Sequence, residues 1–311
     1  MRPQLALAAA LCASLVACRG SHAGAPGALP KGSPAFDLVY ARASGQDRRT
    51  LWVVPAGRGS ERQLTDSSQA DGLPRYTRDG RAVIFSSNRS GNWQLWQIPV
   101  AGGVPERLRT NSWTEWQADL SPDGKRLAFL SDRGGAQSLW LEDLASGGEQ
   151  LLVRHGKRSV LGNPHWDPAA RRIVFSSNYS VGHQIFLVDV ETGEQKRLSG
   201  LLSGGCEPRF SPDGRKVVHV TRGHHRPTSQ LIETDIVSGS ERILVEWPAL
   251  NYDPVYSPDG RELAFASNVS GQYQIYCLRL ADGKAWQVTS GPGDARDPDY
   301  RPPSAQRAVE H

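Results

Sequence analysis

Short apolar runs alternate along most of this 311-residue chain with polar segments rich in Ser, Asn, Gly and Pro. The runs are three or four residues long and contain many β-branched and aromatic residues, as β-strands do. No helical periodicity of comparable length competes with them. Five runs illustrate the pattern: Ala82 to Phe85, Leu127 to Leu130, Ile173 to Phe175, Val217 to Val220 and Leu263 to Phe265. The pattern predicts an all-β fold of repeated short strands.

A four-residue turn precedes each of these runs. Its full form is Ser-Pro-Asp-Gly, in which Pro and Gly suit a type I turn. Three copies are complete and three are degraded: Ser121 to Gly124, Ser211 to Gly214, Ser257 to Gly260, then Thr77 to Gly80, Asp167 to Ala170 and Arg301-Pro302. Consecutive copies stand 44 or 46 residues apart. A regular period of this length indicates one supersecondary unit copied along the chain.

Each unit contains four predicted strands. One short strand precedes the turn, the apolar run follows it, and a Ser/Asn/Gly-rich loop leads to a third strand such as Gln94 to Trp96. A fourth strand, such as Glu106 to Leu108, completes the unit. Four strands per repeat are typical of a propeller blade. Five whole blades are predicted, at about 71–109, 115–153, 162–199, 205–245 and 251–289.

The two ends of the repeat region complement each other. Residues 36–65 contain the second, third and fourth strands of a blade, whereas residues 296–302 contain only a leading strand. Side by side they complete a sixth blade and remove the exposed sheet edges of an open array. The sequence therefore predicts a six-bladed β-propeller of four-stranded blades over residues 36–302, closed by its C-terminal strand. Residues 303–311 are expected to form a disordered tail.

The repeat resembles that of a known family. Its pattern is Asp-x-Pro-x-aromatic-Ser-Pro-Asp-Gly-(Lys/Arg)-x-(Leu/Ile)-Ala-Phe-x-Ser-(Asn/Asp), clearest at Asp253 to Asn268 and Gln117 to Asp132. This is similar to the WD40-like PD40 repeat of TolB-type propellers, and the resemblance covers nearly the whole mature chain. TolB-type proteins carry an α/β domain ahead of the propeller. Here only residues 19–35 precede the first predicted strand, so we expect a lipoprotein that lacks that domain.

The first residues resemble an export signal. Met1-Arg2-Pro3 is followed by an Ala/Leu-rich run to Val16, which is too short for a stable membrane span. Leu15 to Cys18 resembles a bacterial lipobox, and the alternative is an ordinary signal peptide with an incidental Cys. We expect a signal peptide over residues 1–17, lipidation at Cys18 and a flexible Gly/Ala/Ser/Pro tether over residues 18–35. The expected location is the outer membrane, facing the periplasm.

Charge and cysteine content narrow the expected partners. The formal net charge is +4 and no long basic run is present, which is poor evidence for nucleic-acid binding. Cys12 leaves with the signal and Cys18 takes the lipid, so Cys206 and Cys277 form either a disulfide or two lone buried thiols. We expect a monomer without a cofactor.

In a propeller, the loops between second and third strands lie on one face of the ring. The segments that lead into the innermost strands lie on the same face, which we name the loop face. Its residues differ from blade to blade, as a binding surface on a repeated scaffold would. The alternative is a solvated rim whose side chains satisfy backbone groups. The candidate binding residues are Arg75, Asp119, Asn163, His165, Glu207, Arg209, Asp253, Asp297 and Asp299.

Three carboxylates, Glu207, Asp253 and Asp297, occupy equivalent positions in consecutive units. Such a group would hold a hard cation or receive a basic group from a partner peptide. The alternative is that each side chain caps the start of its own strand. Both roles stay open at the level of sequence.

Two kinds of catalysis deserve comparison with binding. Related repeats occur in metal-dependent sugar-acid lyases, and a metal site here would need His224 and His225 together with His165 and His183. No Gly-x-Ser-x-Gly elbow occurs, and no segment is long enough for an appended α/β-hydrolase domain.

We expect a non-catalytic, membrane-tethered periplasmic module that binds an envelope protein, peptide or polymer. The alternative is a metal-dependent lyase acting on uronic-acid polysaccharide.

Overall fold

The computed structural model describes residues 29–45, 48–57, 59–66, 69–179, 182–200, 204–222 and 228–303. The secondary structure of this described part is entirely β, and no helix in it is long and apolar enough to cross a membrane. In chain order its strands are β1 (Leu38–Ala43), β2 (Arg49–Val54), β3 (Arg62–Gln63), β4 (Asp71–Tyr76), β5 (Ala82–Ser87), β6 (Gln94–Pro99), β7 (Glu106–Arg107), β8 (Glu115–Leu120), β9 (Arg126–Ser131), β10 (Ser138–Asp143), β11 (Glu149–Arg154), β12 (Leu161–Trp166), β13 (Arg172–Ser177), β14 (Gln184–Asp189), β15 (Gln195–Arg197), β16 (Cys206–Phe210), β17 (Lys216–Arg222), β18 (Ser229–Asp235), β19 (Glu241–Val245), β20 (Asn251–Tyr256), β21 (Glu262–Ser267), β22 (Gln274–Arg279), β23 (Ala285–Gln287) and β24 (Ala295–Tyr300).

These strands form six four-stranded sheets, each of which is one blade. Blade one contains β24, β1, β2 and β3 from the channel outward, and blades two to six follow as β4–β7, β8–β11, β12–β15, β16–β19 and β20–β23. Strand β24 pairs antiparallel with β1, with Leu38 opposite Tyr300 and Val39 opposite Asp299. The predicted six-bladed propeller and its closure by the C-terminal strand are therefore confirmed.

The repeated tetrapeptide connects the first and second strands of its blade. In blade three the Gly124 N–H donates to the Ser121 carbonyl oxygen at 2.8 Å, and the Ser121 hydroxyl donates to Asp123 Oδ1 at 2.5 Å. Gly124 has φ of 69°, and Ala170 occupies the equivalent position in blade four with φ of 56°. A left-handed backbone is strained for alanine because its Cβ approaches the following carbonyl oxygen.

The hydrophobic core lies between neighbouring blades. The second strands are buried on both faces, and a phenylalanine at the same position of four blades is at most 1% exposed. These residues are Phe85, Phe129, Phe175 and Phe265. Burial on both faces explains why the second strands read as continuous apolar runs in the sequence.

Both cysteines of the described chain are buried, and no disulfide joins them. Cys206 lies at the start of β16, whereas the Sγ of Cys277 in β22 is 3.3 Å from the hydroxyl of Tyr300. Burial raises the pKa of the Cys277 thiol. Of the two alternatives, the structure shows two buried thiols and not a disulfide.

Residues 29–35, which the sequence assigned to the flexible tether, lie against blade six. The Gly32 N–H donates to the Gln287 carbonyl oxygen at 3.0 Å, and the Trp286 Nε1–H donates to the Ser33 carbonyl oxygen at 3.2 Å. This part of the tether thus extends the outer edge of the blade. The predicted signal peptide, Cys18 and residues 304–311 lie outside the described residues.

The strand register defines the two faces of the ring. In blade two Asp71, at the start of β4, pairs with Ser87 at the end of β5, beside the loop to β6. The same arrangement recurs in blade three, where Glu115 pairs with Ser131. The innermost strands therefore begin on the loop face, beside the loops between second and third strands. The tetrapeptide turns lie on the opposite side, which we name the turn face.

Candidate functional site

Six non-glycine residues around the mouth of the central channel have a left-handed backbone. Each innermost strand contributes one, with φ between 52° and 56°: Leu73, Gln117, Asn163, Glu207, Asp253 and Asp297. We name this ring the first tier. Holding a residue in such a conformation costs about 1–3 kcal/mol of strain, and residues of this kind cluster at functional sites. The conformations therefore mark the channel mouth as the candidate site.

Side chains of the first tier bind the backbone of the next blade. Gln117 Oε1 accepts a hydrogen bond from the Asn163 N–H at 2.8 Å, and Glu207 Oε2 accepts one from the Asp253 N–H at 2.7 Å. Asp253 Oδ2 in turn accepts one from the Asp297 N–H at 3.2 Å. Satisfying a buried N–H avoids its desolvation penalty, so these side chains join neighbouring blades.

A second tier lies two residues further along each innermost strand. Three of its members repeat the link to the next blade. Asp119 Oδ2 accepts a hydrogen bond from the Trp166 N–H at 2.9 Å, and Asp299 Oδ2 accepts one from the Tyr76 N–H at 2.8 Å. His165 Nδ1 accepts the equivalent bond at 3.2 Å. The second tier consists of Arg75, Asp119, His165, Arg209, Val255 and Asp299.

The two arginines of the second tier behave differently. Arg75 Nη1 donates to the carbonyl oxygen of Pro74 at 2.8 Å, and Arg209 Nη1 donates to that of Pro208 at 3.0 Å. Each bond runs to the preceding residue of the same strand and not to the next blade. These side chains are nevertheless buried, with 8% of Arg75 and 5% of Arg209 exposed.

Sequence reasoning missed one residue at the mouth, Arg296. Its Nε donates to Asp253 Oδ2 at 2.6 Å, and its Nη2 lies 4.0 Å from Glu207 Oε1. The guanidinium carbon is 4.7 Å from the ring centroid of Tyr252 and 4.6 Å from that of Tyr273. In the other five blades the residue just before the first-tier position is uncharged. A single arginine at this position of the repeat was therefore the signal by which Arg296 could have been found.

Burial and ion pairing set the charges at the mouth. Burial opposes the charge of Arg296, but Asp253 and Glu207 outweigh it and raise the pKa of this arginine. Burial likewise works to raise the pKa of Asp253, but the Arg296 guanidinium outweighs it and lowers that pKa. Burial and the Asp253 charge raise the pKa of Asp297, although Arg49 Nη1 lies 3.8 Å from its Oδ2. The mouth therefore holds opposite charges in close contact.

Burial dominates the electrostatics of the second tier. It raises the pKa of Asp299 to about 6, against the opposing charge of Arg75. It lowers the pKa of His165 to about 4. A neutral His165 at physiological pH agrees with the role of its Nδ1 as an acceptor, because a protonated nitrogen has no lone pair to offer.

Two aromatic side chains are exposed on the loop face, above the outer strands of the blades. Trp113, in the segment leading to β8, is 49% exposed, and Tyr179, after β13, is 61% exposed. The Tyr179 ring stacks 4.4 Å from the ring of His155. Trp113 lines a cavity of about 450 Å³ together with Arg133, and Tyr179 lines one of about 510 Å³ together with Arg197. The loop face thus has an aromatic rim over blades three and four.

The structure brings all nine candidate binding residues to the channel. Four belong to the first tier and five to the second: Asn163, Glu207, Asp253, Asp297, then Arg75, Asp119, His165, Arg209 and Asp299. Their role in binding a partner stays a prediction. Within the described ranges, no group of three or more His, Cys, Asp or Glu residues is arranged to hold a metal ion. His224 and His225 lie outside those ranges.

Comparison with known proteins places this architecture in a family. TolB from Acinetobacter baumannii has a similar structure, with a TM-score of 0.75 and 20% identity over 88% of this chain and 68% of that one. A nidogen/laminin complex gives a TM-score of 0.65 and 11% identity, covering 86% of this chain and 98% of that one. An oligogalacturonate lyase in complex with manganese gives a TM-score of 0.53 and 19% identity, covering 85% of this chain and 76% of that one.

At these identities the structural likenesses show the fold alone. A sequence-family model, by contrast, spans nearly the whole propeller. The model for PD40, the TolB beta propeller domain, matches residues 10–199 and 206–308. The chain belongs to the TolB beta propeller domain family.

Proposed function

We propose that this protein is a non-catalytic binding module whose loop face holds another protein. The observation that carries the proposal is the exposure of Trp113 and Tyr179 on the same face as the channel mouth. Tryptophan and tyrosine are enriched among the residues that dominate binding energy at protein interfaces. The charged groups of the mouth differ between blades, so they would add specificity to a contact anchored on the aromatic rim.

The turn face offers a contrast within the described chain. Its most exposed apolar side chains are Val104, at 82%, and Val237, at 86%, each at the tip of a hairpin between third and fourth strands. Isolated exposed aliphatic residues are normal on soluble proteins and need no partner. The two faces therefore differ in the kind of apolar side chain that they expose.

The proposal is tested by affinity capture from envelope extracts, with Trp113→Ala/Tyr179→Ala as the test variant. Val104→Ala/Val237→Ala is the matched control, because it removes two exposed apolar side chains from the other face. We expect one reproducible partner with wild type and the control, and loss of that partner with the test variant. Equal capture by all three proteins would refute the assignment of the loop face. Replacing first-tier carboxylates would be less informative, because they also join blades.

We also propose that the protein acts in the cell envelope, tethered through a lipidated Cys18. The support is the lipobox-like segment Leu15 to Cys18, which follows a short apolar run. Metabolic labelling with a palmitate analogue tests the tether. Label is expected on wild type and not on Cys18→Ser, and a labelled Cys18→Ser variant would contradict it. A partner in the envelope, most simply a periplasmic or outer-membrane protein, follows from this location.

A lyase acting on uronic-acid polysaccharide is the alternative function. Its support is the similarity in fold to the manganese-bound oligogalacturonate lyase, together with the pair His224-His225. The test is incubation with oligogalacturonate and Mn²⁺, followed by the ultraviolet absorbance of the unsaturated product. Turnover that disappears in His224→Ala/His225→Ala, combined with an absence of captured partners, would replace the binding proposal.

A further inference from the structure

At the second tier of the channel, three of the six blades are joined to the next blade through a side chain. Asp119, His165 and Asp299 each present an acceptor there, and each binds a backbone N–H of the next blade. Arginine has five donors and no acceptor, so it cannot make this link. Blades two and five therefore give up a bond between blades in order to carry Arg75 and Arg209. Their presence calls for a role other than holding the ring together.

In the part of the chain that the structure describes, neither guanidinium has a carboxylate partner. Among the described residues no Asp or Glu oxygen lies within 4.0 Å of Arg75 or Arg209, although both side chains are more than nine-tenths buried. Each makes one hydrogen bond to a carbonyl oxygen of its own strand. Arg296 provides the contrast, since the same channel gives it Asp253 and Glu207. A buried cation without an anion is costly, and binding an anion removes that cost.

The acidic groups of the same tier are engaged elsewhere. Asp119 Oδ1 lies 3.4 Å from Arg78 Nη2, and its other oxygen binds the next blade. Asp299 binds the Tyr76 N–H, and its positive neighbour Arg75 lies beyond ion-pair distance. His165 is neutral at physiological pH, because burial lowers its pKa to about 4. Among the described residues neither arginine therefore forms an ion pair, although the charge of Arg75 acts at longer range on Asp297 and Asp299.

Ring geometry places the two arginines opposite each other. They occupy the same position of β4 and β16, in blades two and five, which are three blades apart in a ring of six. Both residues therefore belong to one level of the channel, below the first tier. Planar guanidinium groups match the geometry of carboxylates and bind them through paired hydrogen bonds.

We propose that Arg75 and Arg209 form a carboxylate-binding site within the channel, which receives an acidic group of the partner through the loop face. The group is either an Asp or Glu side chain or the carboxyl terminus of a chain. The inference rests on the proposed function only in taking the loop face as the way in. The site itself is tested with small carboxylates and does not require the partner.

The test uses the full chain and three probes at constant ionic strength. N-acetyl-aspartyl amide presents a side-chain carboxylate, N-acetylglycine presents a terminal carboxylate, and N-acetyl-asparaginyl amide is the neutral match. Binding is measured by isothermal calorimetry and by the rise in Tm. We expect at least one carboxylate to bind wild type and the amide not to bind. Arg75→Gln and Arg209→Gln should each weaken binding by about tenfold or more, the loss expected for one charged hydrogen-bonding contact.

Arg261→Gln is the control, because it removes the same charge from an exposed site on the turn face, outside the channel and the aromatic rim. Equal weakening of carboxylate binding by Arg261→Gln would show that the effect comes from net charge alone and would overturn the proposal. No binding of either carboxylate to wild type would also overturn it. The Tm of unliganded Arg209→Gln separates binding from folding. It should equal or exceed that of wild type, and a drop of about 4 °C or more would make Arg209 a structural residue instead. Partner capture through the aromatic rim would stand in either case.

Discussion

Asp299 allows a test of how burial governs the charges of the channel. Its Oδ2 accepts a hydrogen bond from the Tyr76 N–H at 2.8 Å, and burial raises its pKa to about 6. Asparagine retains an oxygen acceptor of similar size at this place but carries no charge. Asp299→Asn therefore isolates the cost of ionising the buried carboxyl, with the link between blades one and two kept.

Proton linkage gives the direction and the size of the difference in unfolding free energy between Asp299→Asn and wild type. The usual pKa of aspartate is ~4, so folded protein keeps the proton over a range, from pH ~4 to ~6, in which unfolded protein has lost it. The contribution of this carboxyl to the stability of wild type is fully present below pH ~4 and is lost as the pH rises through about 6. The difference between the two pKa values corresponds to about 3 kcal/mol. The asparagine amide leaves a buried N–H donor without a partner, which reduces the gain in stability by about 1 kcal/mol. Asp299→Asn should therefore exceed wild type by about 2 kcal/mol at pH ~8 and lose this advantage near pH 4.

The measurement is urea unfolding followed by tryptophan fluorescence, across this pH range, with wild type and variant side by side. Groups common to both proteins, including His165, cancel in the difference. Asp119→Asn is the matched control, because Asp119 makes the equivalent link but also lies 3.4 Å from Arg78. Removing that ion pair should give no gain at pH ~8. A difference for Asp299→Asn that does not change with pH, or a loss of stability at pH ~8, would refute the reasoning.

Three further outcomes are expected from unfolding measurements. Ala170→Gly should raise the free energy of unfolding by about 1 kcal/mol, because glycine adopts a φ of 56° without strain, and no gain would mean that the turn is not strained. Arg296→Met should lower it by about 3–5 kcal/mol by leaving Asp253 buried without its cation, whereas Arg261→Met, at an exposed site, should change it little. His165 contributes stability that is present above pH ~6.5 and lost as the pH falls through about 4, so His165→Asn, which keeps an acceptor, should lose less stability on acidification than wild type. Parallel acid profiles for the two proteins would contradict the buried, neutral state of His165.

Much of the fold could be predicted because each blade repeats the same local chemistry. The Ser-Pro-Asp-Gly turn fixes its own geometry through Ser121, Asp123 and Gly124, so its spacing reports the blade length directly. Ring closure was also readable, because each terminal fragment lacks the strands that the other supplies. The turn depends on neighbours in sequence, whereas ring closure follows from counting the strands of each repeat.

The channel was less predictable because its properties arise between blades. Glu207, Asp253 and Asp297 each precede proline, which normally favours an extended backbone, yet the structure holds them in the left-handed region. Their links to the next blade depend on that conformation. The pairing of Arg296 with Asp253, 43 residues away, is invisible in sequence because charge alone does not show which side of a strand faces the channel.

The exposed aromatic rim and the packed part of the tether escaped prediction for other reasons. Nine tryptophans are expected to pack between blades, and nothing in the sequence distinguishes Trp113 as the exposed one. A Gly- and Pro-rich segment cannot form its own core, but residues 29–35 need only a free sheet edge to which backbone groups can bond.

Closure by β24 has a consequence for the order in which the propeller assembles as the chain is made. Strand β1 is among the first parts of the propeller to emerge, but its inner neighbour is made some 250 residues later. Until then the inner edge of β1 presents unpaired amides, and such an edge is prone to pair with the wrong strand. Residues 295–300 also bring Arg296, Asp297 and Asp299, so the channel gains its electrostatic character in the same late step. A molecule that has not reached that step would therefore be vulnerable to proteases and would lack these charged groups of the channel.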